Sequence, residues 1–232
     1  MSFCLTFDTD WASEPVLEHT LSILERYGVK STIFATNKSK ALETFSRKQV
    51  ELAIHPNFEK INSEPIESLL EVFPKAKGYR SHRLVDIPSI RESAHELGLI
   101  YDSNLYIPET TMPFKDFSGL IRVPFCWSDY ASIATNQGFD FKWELPKEKM
   151  CCIAFHPIHI FLNSEVMDRY RAALKVTDHS SLEGLRNRSD VPGAEDALIK
   201  LLESESSKND FIFVAEVANK PVKSSVSFPQ DL

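Results

Sequence analysis

The chain alternates between short apolar runs and longer segments whose apolar residues recur every three or four positions. Residues 3–7 (FCLTF) form the first run, which is too short for a helix and is typical of a buried strand. From Val16 to Leu24 the apolar residues then fall on one helical face, and Gly28 is a typical residue just past a helix end. The opening of the chain therefore predicts a strand followed by a helix.

The same strand-then-helix order repeats along the chain, which implies parallel strands joined by right-handed helical connections. Seven or eight such strands predict an α/β fold built as a (β/α) barrel rather than a small open sheet. No linker rich in Gly, Pro or Ser interrupts the pattern, so we expect one domain at 1–218 followed by a C-terminal tail at 219–232. The predicted strands are 3–7, 30–36, 50–56, 77–81, 99–103, 120–125, 151–156 and 210–217, and the predicted helices lie between Ser13 and Gly28 and at 39–47, 63–73, 87–98, 164–174 and 194–204.

Composition and charge restrict the classes of function. The 232 residues carry a formal net charge of −7, which argues against a broad nucleic-acid-binding surface. No segment approaches the roughly 18–20 apolar residues of a membrane span, and Asp8 and Asp10 interrupt the first run before it could serve as a signal peptide. Cys4, Cys151 and Cys152 lie in strand-like runs without a CxxC spacing, as expected of buried free thiols in a reducing cytoplasm. We therefore expect a cytoplasmic protein with no nucleic-acid partner and no membrane span; the oligomeric state stays open.

Titratable residues gather where five of the predicted strands end. Catalytic groups of a (β/α) barrel lie at this edge, where strands meet the following loops. Each residue alone has an ordinary structural explanation, such as a turn aspartate or a satisfied core histidine. Their convergence from five strands favours one shared site. The residues are Asp8, Asp10, His55, Arg80, His82, Asp102, His156 and His159.

Five segments resemble, in order, the motifs of the polysaccharide deacetylases, the family with the NodB homology domain that is similar to carbohydrate esterase family 4. The segments are TFDTDW, AIHPNFE, GYRSHR, IYDSN and IAFHPIH, and they run from residue 6 to residue 159. The resemblance implies a distorted (β/α) barrel and the metal-dependent removal of acetyl groups from N-acetylated sugars. The implied cofactor is a divalent metal ion, Zn²⁺ first, with Co²⁺, Mn²⁺ or Ni²⁺ as alternatives.

The resemblance also implies a role for each strand-end residue. Asp8 is the expected general base, Arg80 steadies it, and Asp10 and His55 bind the metal. Where the family has two adjacent aspartates, Thr9 separates them here, yet residues i and i+2 of a strand share a face and can point into one pocket.

His156 is the expected general acid, and Asp102 is expected to orient and tune it. Amide hydrolysis needs an activated water, a stabilised oxyanion and a protonated leaving amine. A histidine suits the last task because its pKa lies near working pH.

The second histidine of the family's pair is missing after His55. Glu59 takes its position and offers a carboxylate, the better Zn²⁺ ligand, whereas Asn57 is held in the tight HPNF turn. On position we expect Asn57 as the third metal ligand, with Glu59 as the alternative. His82 or His159 could also complete the ligand shell.

Loop aromatics and the remaining histidines are the candidates for substrate binding. Trp11 and Trp127 could stack on sugar faces, with ordinary packing as the alternative, and His82 and His159 are expected beside them. With a cytoplasmic location, the family resemblance predicts an N-acetylated sugar or polysaccharide precursor of a bacterial surface polysaccharide, such as an O-antigen. A hydrolase of a small non-sugar amide or imide, or a non-catalytic sugar-binding relative, is the alternative.

Overall fold

The computed structural model describes residues 2–45, 48–59, 65–108, 112–143, 150–176, 178–205 and 210–221. Within these ranges ten strands form one sheet, and six of them are only two residues long. The strands are β1 Ser2–Asp8, β2 Ser31–Ala35, β3 Val50–Ile54, β4 Gly78–Tyr79, β5 Tyr101–Asp102, β6 Phe114–Lys115, β7 Ile121–Arg122, β8 Trp127–Ser128, β9 Cys151–Phe155 and β10 Asp210–Phe211.

Helices follow most of the strands. They are α1 Glu14–Tyr27, α2 Lys40–Thr44, α3 Pro65–Val72, α4 Pro88–Glu96, α5 Asp129–Ala134, α6 Pro157–Leu162, α7 Met167–Ala173, α8 His179–Gly184, α9 Ala194–Glu205 and α10 Val214–Ala218, with a 3₁₀ helix at His82–Leu84. Of the helices in the described ranges, none is long and apolar enough to cross a membrane.

The sheet curls as a half-barrel. Its strand order is β6-β7-β5-β4-β3-β2-β1-β9-β8, with β10 paired to β1, and every recorded strand pairing is parallel except that of β6 with β7. The predicted α/β fold of the polysaccharide deacetylase type is therefore confirmed. Parallel strands align their carboxyl ends, so the side chains at those ends meet along one rim.

Both faces of β1 are buried, so residues 3–7 are mostly apolar, and the buried Thr6 hydroxyl donates to the Ile153 carbonyl oxygen at 2.9 Å. Phe3, Leu5 and Phe7 face a core formed with helices α1 and α9. Cys4 points to the opposite face, where it joins residues such as Phe34 of β2. This alternation follows from the two-residue period of a strand, and burial on both faces explains why FCLTF has a single polar residue, Thr6.

One predicted strand is wrong over most of its length. The run at 210–217 is a strand only at Asp210–Phe211, and Val214–Ala218 form α10. The amide of Val214 donates to Thr32 Oγ1 at 3.0 Å, and that of Ala215 donates to Glu51 Oε2 at 3.2 Å. These side chains satisfy amides that a helix leaves free at its start, so tertiary contacts stabilise a helix in a run of strand-like composition.

Other boundaries also differ from the predictions. The strand expected at 120–125 is limited to Ile121–Arg122, and the helix expected at 164–174 begins only at Met167. The short helices α5, α6 and α8 were not predicted, because segments of six residues carry too little periodicity to reveal a helix. Residues 222–232 of the expected tail lie outside the described ranges, so the tail stays a prediction.

Gly78 permits the close approach of β4 to β5. A Cβ atom added at Gly78 would overlap the buried ring of Tyr101. Two positions later the chain delivers Arg80 to the rim of the sheet, so this contact also sets where Arg80 lies. The strand therefore depends on a residue without a side chain at this position.

We expect Gly78→Ala to lower the free energy of unfolding by about 1–3 kcal/mol, because overpacking forces neighbouring groups apart. Gly184→Ala is the matched control, since an added Cβ at the end of α8 meets no atom within 4 Å. Urea denaturation followed by circular dichroism measures both variants. Equal stability of the two variants would contradict the proposed role of Gly78.

Candidate active site and metal cluster

The end of β1 carries both aspartates into the rim. Asp8 is the last residue of β1, and Thr9 fixes the turn that follows, because its amide donates to the Phe34 carbonyl oxygen at 3.1 Å. The Thr9 hydroxyl accepts a hydrogen bond from the amide of Thr36 at 3.0 Å. Trp11 has a positive φ of 59°, which turns the chain sharply after Asp10. The two carboxylates consequently enter different hydrogen-bond networks.

Asp10 lies at the centre of a three-residue cluster. Its Oδ2 atom is 2.7 Å from His55 Nε2 and 3.0 Å from His82 Nδ1. Asp10 follows β1, His55 follows β3 and His82 begins the 3₁₀ helix after β4, so the groups come from the ends of three strands, of which β3 and β4 are adjacent and β1 is separated from β3 by β2. One potential ligand atom from each residue lies within 4.8 Å of the others. This group could hold a metal ion.

The chemistry of the cluster fits a catalytic zinc site. One carboxylate oxygen and two imidazole nitrogens are a donor set that Zn²⁺ prefers, and three protein ligands leave a position for water or substrate. Burial opposes ionisation of Asp10, but the hydrogen bonds and charges of His55 and His82 hold its pKa well below its usual range. A permanently ionised carboxylate is the form that binds a cation.

The third member of the cluster differs from the expected one. The Asn57 side-chain oxygen accepts the amide hydrogen bond of Glu59 at 2.9 Å, within the turn. Glu59 pairs with Arg83 at 2.8 Å and lies 3.8 Å from Nε2 of His82. The third donor of the cluster is thus His82, which the sequence placed mainly in substrate binding, and Glu59 lies next to His82. Asn57 as a metal ligand stays a prediction.

Asp8 is held by a fully buried arginine. Arg80 Nη1 donates to Asp8 Oδ1 at 2.9 Å and to the hydroxyl of Thr6 at 3.0 Å. Its Nε and Nη2 donate to the carbonyl and hydroxyl oxygens of Ser103 at 3.0 and 2.8 Å. These bonds fix the guanidinium, so it positions one carboxylate oxygen of Asp8 and leaves the other, Oδ2, for a different contact.

That contact is His156, which directly follows β9. Its Nε2 atom lies 3.9 Å from Asp8 Oδ2. On the other side of the ring, Nδ1 is 2.7 Å from Asp129 Oδ1, and Asp129 Oδ2 accepts a hydrogen bond from the His156 amide at 2.7 Å. Asp129 therefore fixes both the backbone and the ring of His156.

The electrostatics keep His156 protonated in the metal-free protein. Burial opposes its charge, but the nearby carboxylates of Asp129, Asp8 and Asp10 outweigh burial and raise its pKa to about 9. With Nδ1–H directed to Asp129, the second proton lies on Nε2, toward Asp8. This arrangement can donate a proton into the space between the two residues.

Asp102 was expected to orient His156, but the structure places it in another network. It is fully buried and its Oδ2 lies 2.6 Å from Nε of Arg122, while Oδ1 accepts the amide hydrogen bond of Asn104. Burial raises the pKa of Asp102 to about 6, against the opposing influence of Arg122. The residue that orients His156 is Asp129. Asp129 belongs to the segment PFCWSDY, where it directly follows strand-like residues, and this position is the sequence signal that could have identified Asp129.

The aromatic candidates separate into exposed and packed residues. Trp127 packs against aromatic rings of the core, including Phe155 at a centroid distance of 5.0 Å, so the packing alternative holds for it. Trp11 is 64% exposed next to the cluster and remains a candidate for substrate contact. His159 is 1% exposed, and its ring lies 5.5 Å from that of His156. Burial lowers the pKa of His159 to about 4, so this ring is neutral.

Comparison with known proteins identifies the family. The family model described as WbmS-like polysaccharide deacetylase matches residues 5–174. The chain belongs to this family. It is therefore a hydrolase of the polysaccharide deacetylase class, which acts on N-acetyl amide bonds, and the resemblance seen in the sequence motifs is confirmed.

Solved structures support the same assignment. A protein from Bordetella bronchiseptica, described as a polysaccharide deacetylase involved in O-antigen biosynthesis, is 32% identical; the match covers 87% of this chain and 90% of that chain, with a TM-score of 0.81. The 4-alpha-glucanotransferase of Thermococcus litoralis is 13% identical over 94% of this chain and 38% of its own, with a TM-score of 0.50, a likeness of fold alone. A search of curated proteins found no match.

The contact between Asp129 and His156 predicts a shift in titration. In metal-free protein, Asp129→Asn removes the largest favourable charge near His156, so we expect the pKa of His156 to fall from about 9 toward or below 6.5. Long-range ¹H–¹⁵N NMR of the histidine rings measures this pKa. His19, His95 and His179, which lie outside the Asp129–His156 pair, serve as internal controls, and an unchanged pKa of His156 would contradict the assignment.

The same pair predicts a pH dependence of stability. Because the folded-state pKa of His156 lies above 6.5, its protonation stabilises the fold below about pH 6.5, and this contribution is lost as the pH rises through about 9. Denaturation of the metal-free protein at intervals between these pH values should show a decline that is smaller in Asp129→Asn. Parallel declines would contradict the prediction.

Proposed function

We propose that this protein is a metal-dependent N-deacetylase whose substrate is an N-acetylated sugar of a bacterial surface-polysaccharide precursor. One observation carries the proposal: the Asp10–His55–His82 cluster lies beside an Asp8–Arg80 pair and a His156–Asp129 pair that face each other at 3.9 Å. Amide hydrolysis uses three such groups, namely a bound cation, a general base and a general acid.

Asp10, His55 and His82 would hold the divalent ion. When bound, such an ion supplies charge that polarises the acetyl carbonyl and favours deprotonation of a nearby water. The cluster can fit Zn²⁺, and Co²⁺, Mn²⁺ or Ni²⁺ share its preference for imidazole nitrogen and carboxylate oxygen.

Asp8 acts as the base in this proposal. Its Oδ2 accepts the proton of the attacking water, while Arg80 holds Oδ1 and keeps the carboxylate aimed at the site. The bonds of Arg80 to Thr6 and Ser103 prevent Asp8 from turning toward the metal cluster. The division of the two aspartates into base and ligand follows from these different partners.

His156 acts as the acid. Its Nε2–H donates the proton to the amide nitrogen as the bond to the acetyl carbon breaks, so the sugar leaves as a free amine. Asp129 retains Nδ1–H throughout and keeps the ring in the orientation that presents Nε2. The pair resembles other carboxylate–histidine pairs, in which the carboxylate orients the ring without taking its proton.

The substrate class rests on the relatives rather than on the geometry. The Bordetella bronchiseptica protein is described as involved in O-antigen biosynthesis, which supports a surface-polysaccharide precursor for this chain too. All four cysteines are free in the structure, and Cys4, Cys151 and Cys152 are buried, which is consistent with the cytoplasm. The missing second histidine was the reason for considering a non-catalytic sugar-binding relative. His82 weakens this alternative because it supplies a third donor to the cluster.

We expect one divalent ion per chain, with His82→Ala lowering the affinity more than tenfold. Metal analysis and isothermal titration with Zn²⁺, Co²⁺, Mn²⁺ and Ni²⁺ measure stoichiometry and affinity, and metal at 100 times its Kd should stabilise the fold by about 2.7 kcal/mol. His179→Ala, at an exposed position of α8, is the matched control. Unchanged binding by His82→Ala, or no binding of any of the four ions, would contradict the cluster assignment.

We expect Asp8→Asn to reduce acetate release by about 10²–10⁴-fold, the usual contribution of a general base. The metal stoichiometry should not change, because Asp8 contacts Arg80 rather than the Asp10 cluster. Acetate release from N-acetylhexosamine oligosaccharides by metal-loaded protein is the measurement. Activity of Asp8→Asn within tenfold of wild type would refute its role as base.

A further inference from the structure

A pair of thiols lies outside the catalytic cluster, where β8 and β9 run side by side. Cys126 directly precedes β8 and Cys151 begins β9, and their Sγ atoms are 2.9 Å apart. The proposed chemistry of amide hydrolysis uses neither residue. Because the two cysteines are 25 positions apart in the chain, the fold and not a local turn brings their sulfur atoms together.

The sheet holds the two backbones at a separation that a disulfide can bridge. β8 and β9 pair in parallel, and the amide of Cys126 donates to the Cys152 carbonyl oxygen at 2.9 Å. Neighbouring strands lie about 4.8 Å apart, and disulfides bridge Cα atoms that are about 4.4–6.8 Å apart. Since an S–S bond measures about 2.05 Å, the Sγ atoms of Cys126 and Cys151 have less than about 1 Å to close.

The two thiols differ in exposure, and this difference assigns their roles. Cys126 is half-buried, while Cys4, Cys151 and Cys152 are buried. An oxidant dissolved in water therefore reaches Cys126 first. Cys151 lies behind Cys126, in the core that packs between the sheet and helices α1 and α9. A reactive cysteine with a second thiol next to it is the usual arrangement of a site that forms a disulfide on oxidation.

The hydrogen bond between the thiols favours the same roles. The Cys151 thiol donates to Cys126 Sγ, and this bond lowers the pKa of Cys126 against the opposing effect of burial. The same bond, together with burial, raises the pKa of Cys151. Because the thiolate is the nucleophilic form of cysteine, Cys126 reacts first, and Cys151 keeps its proton until it attacks in turn.

Two other uses of the cysteines fit the structure less well. Within the described part of the chain, no third His, Cys, Asp or Glu donor joins Cys126 and Cys151 in a cluster, so the pair lacks the further ligands of a zinc site. Cys4 and Cys152 are partners in the pairing of β1 with β9, but both are buried on the opposite face of the sheet. An oxidant in solution does not reach these two thiols in the folded chain.

We propose that Cys126 and Cys151 form a reversible oxidation site, at which a peroxide closes a disulfide between β8 and β9. The Cys126 thiolate attacks one oxygen of hydrogen peroxide, the O–O bond breaks, hydroxide departs, and Cys126 becomes a sulfenic acid. The Cys151 sulfur then attacks the Cys126 sulfur, and the Cys151 proton and the departing hydroxyl group leave as water. Two thiols and one peroxide thus give one disulfide and two waters, and a dithiol reductant restores both thiols.

The disulfide tethers the two strands that carry the Asp129–His156 pair. Asp129 follows β8 and His156 follows β9, and a hydrogen bond joins the two side chains. Oxidation links the chain three residues before Asp129 to the chain five residues before His156, so it restricts separation of these strand ends. Such a site is compatible with a reducing cytoplasm, where disulfides form transiently in response to oxidants. The inference does not depend on the proposed function, because it concerns the two thiols and the sheet alone.

Treatment of the folded, metal-free full chain with a small excess of hydrogen peroxide tests the site. We expect two of the four free thiols to disappear, the mass to fall by about 2 Da, and non-reducing peptide mass spectrometry to find Cys126 linked to Cys151. Dithiothreitol should restore all four thiols. The melting temperature of the oxidised chain should be higher by about 5 °C or more, because the cross-link restricts the unfolded state.

Three variants separate the roles of the thiols. In Cys151→Ala the sulfenic acid has no second thiol to meet, so dimedone should label Cys126. In Cys126→Ala neither the linkage nor the label should form, and peroxide should leave the melting temperature unchanged. Cys4→Ala is the matched control, since it removes a buried thiol outside the pair and should form the linkage as the wild type does.

Four results would overturn the oxidation site. They are a linkage between other cysteines, a disulfide between two chains, oxidation of Cys126 that dithiothreitol does not reverse, and thiols that resist a peroxide concentration sufficient to oxidise the urea-unfolded chain. An unchanged melting temperature of the chain carrying the Cys126–Cys151 disulfide would refute the tether between β8 and β9.

Discussion

The buried guanidinium of Arg80 is the constraint on which the rest of the site depends. It is completely enclosed, and its carbon lies 4.4 Å and 4.5 Å from the ring centroids of Phe34 and Phe125. A cation in such surroundings is tolerated only if its donors are satisfied, and Asp8, Thr6 and Ser103 satisfy them. The interior therefore fixes Asp8 with the rigidity of the core rather than that of a loop.

This arrangement allows two aspartates, separated by one residue, to do different work. Asp8 is tied to the interior through Arg80, whereas Asp10 lies beyond the turn at Thr9 and meets His55 and His82. Two carboxylates in the same surroundings would compete for one cation or share one proton. Separate partners remove that competition, so one carboxylate can serve as ligand while the other stays free for the water.

Local patterns predicted much of the fold, and tertiary contacts determined the remainder. The mostly apolar runs at 3–7 and 151–156 correspond to β1 and β9, because strands buried on both faces are mostly apolar. The run at 210–217 is also mostly apolar, yet Val214–Ala218 is a helix because Thr32 and Glu51 cap it from distant strands. No local pattern contains a partner that lies more than 160 residues away.

Prediction of the site from the sequence was limited in the same way, because some of its contacts depend on tertiary structure. Asp8 ends β1, and Asp10, His55, Arg80 and His156 follow β1, β3, β4 and β9, which lie within five adjacent positions of the sheet. Because these strands are parallel, their carboxyl ends bring the five residues to one rim. The third donor and the partner of His156 depend instead on how loops turn. His82 reaches Asp10 because the 3₁₀ helix after β4 folds its ring back toward the cluster, while the turn at Asn57 closes on itself.

Asp102 and Asp129 occupy similar positions but have different roles. Asp102 ends β5, Asp129 follows β8, and both are buried. Asp102 lies on β5, four strands from β1, where Arg122 of β7 is its neighbour; Asp129 follows β8, whose neighbour β9 carries His156. In this sheet the carboxylate that orients His156 comes from the adjacent strand end. The sheet order, which the sequence alone does not contain, therefore decides which of two similar aspartates belongs to the proposed catalytic pair.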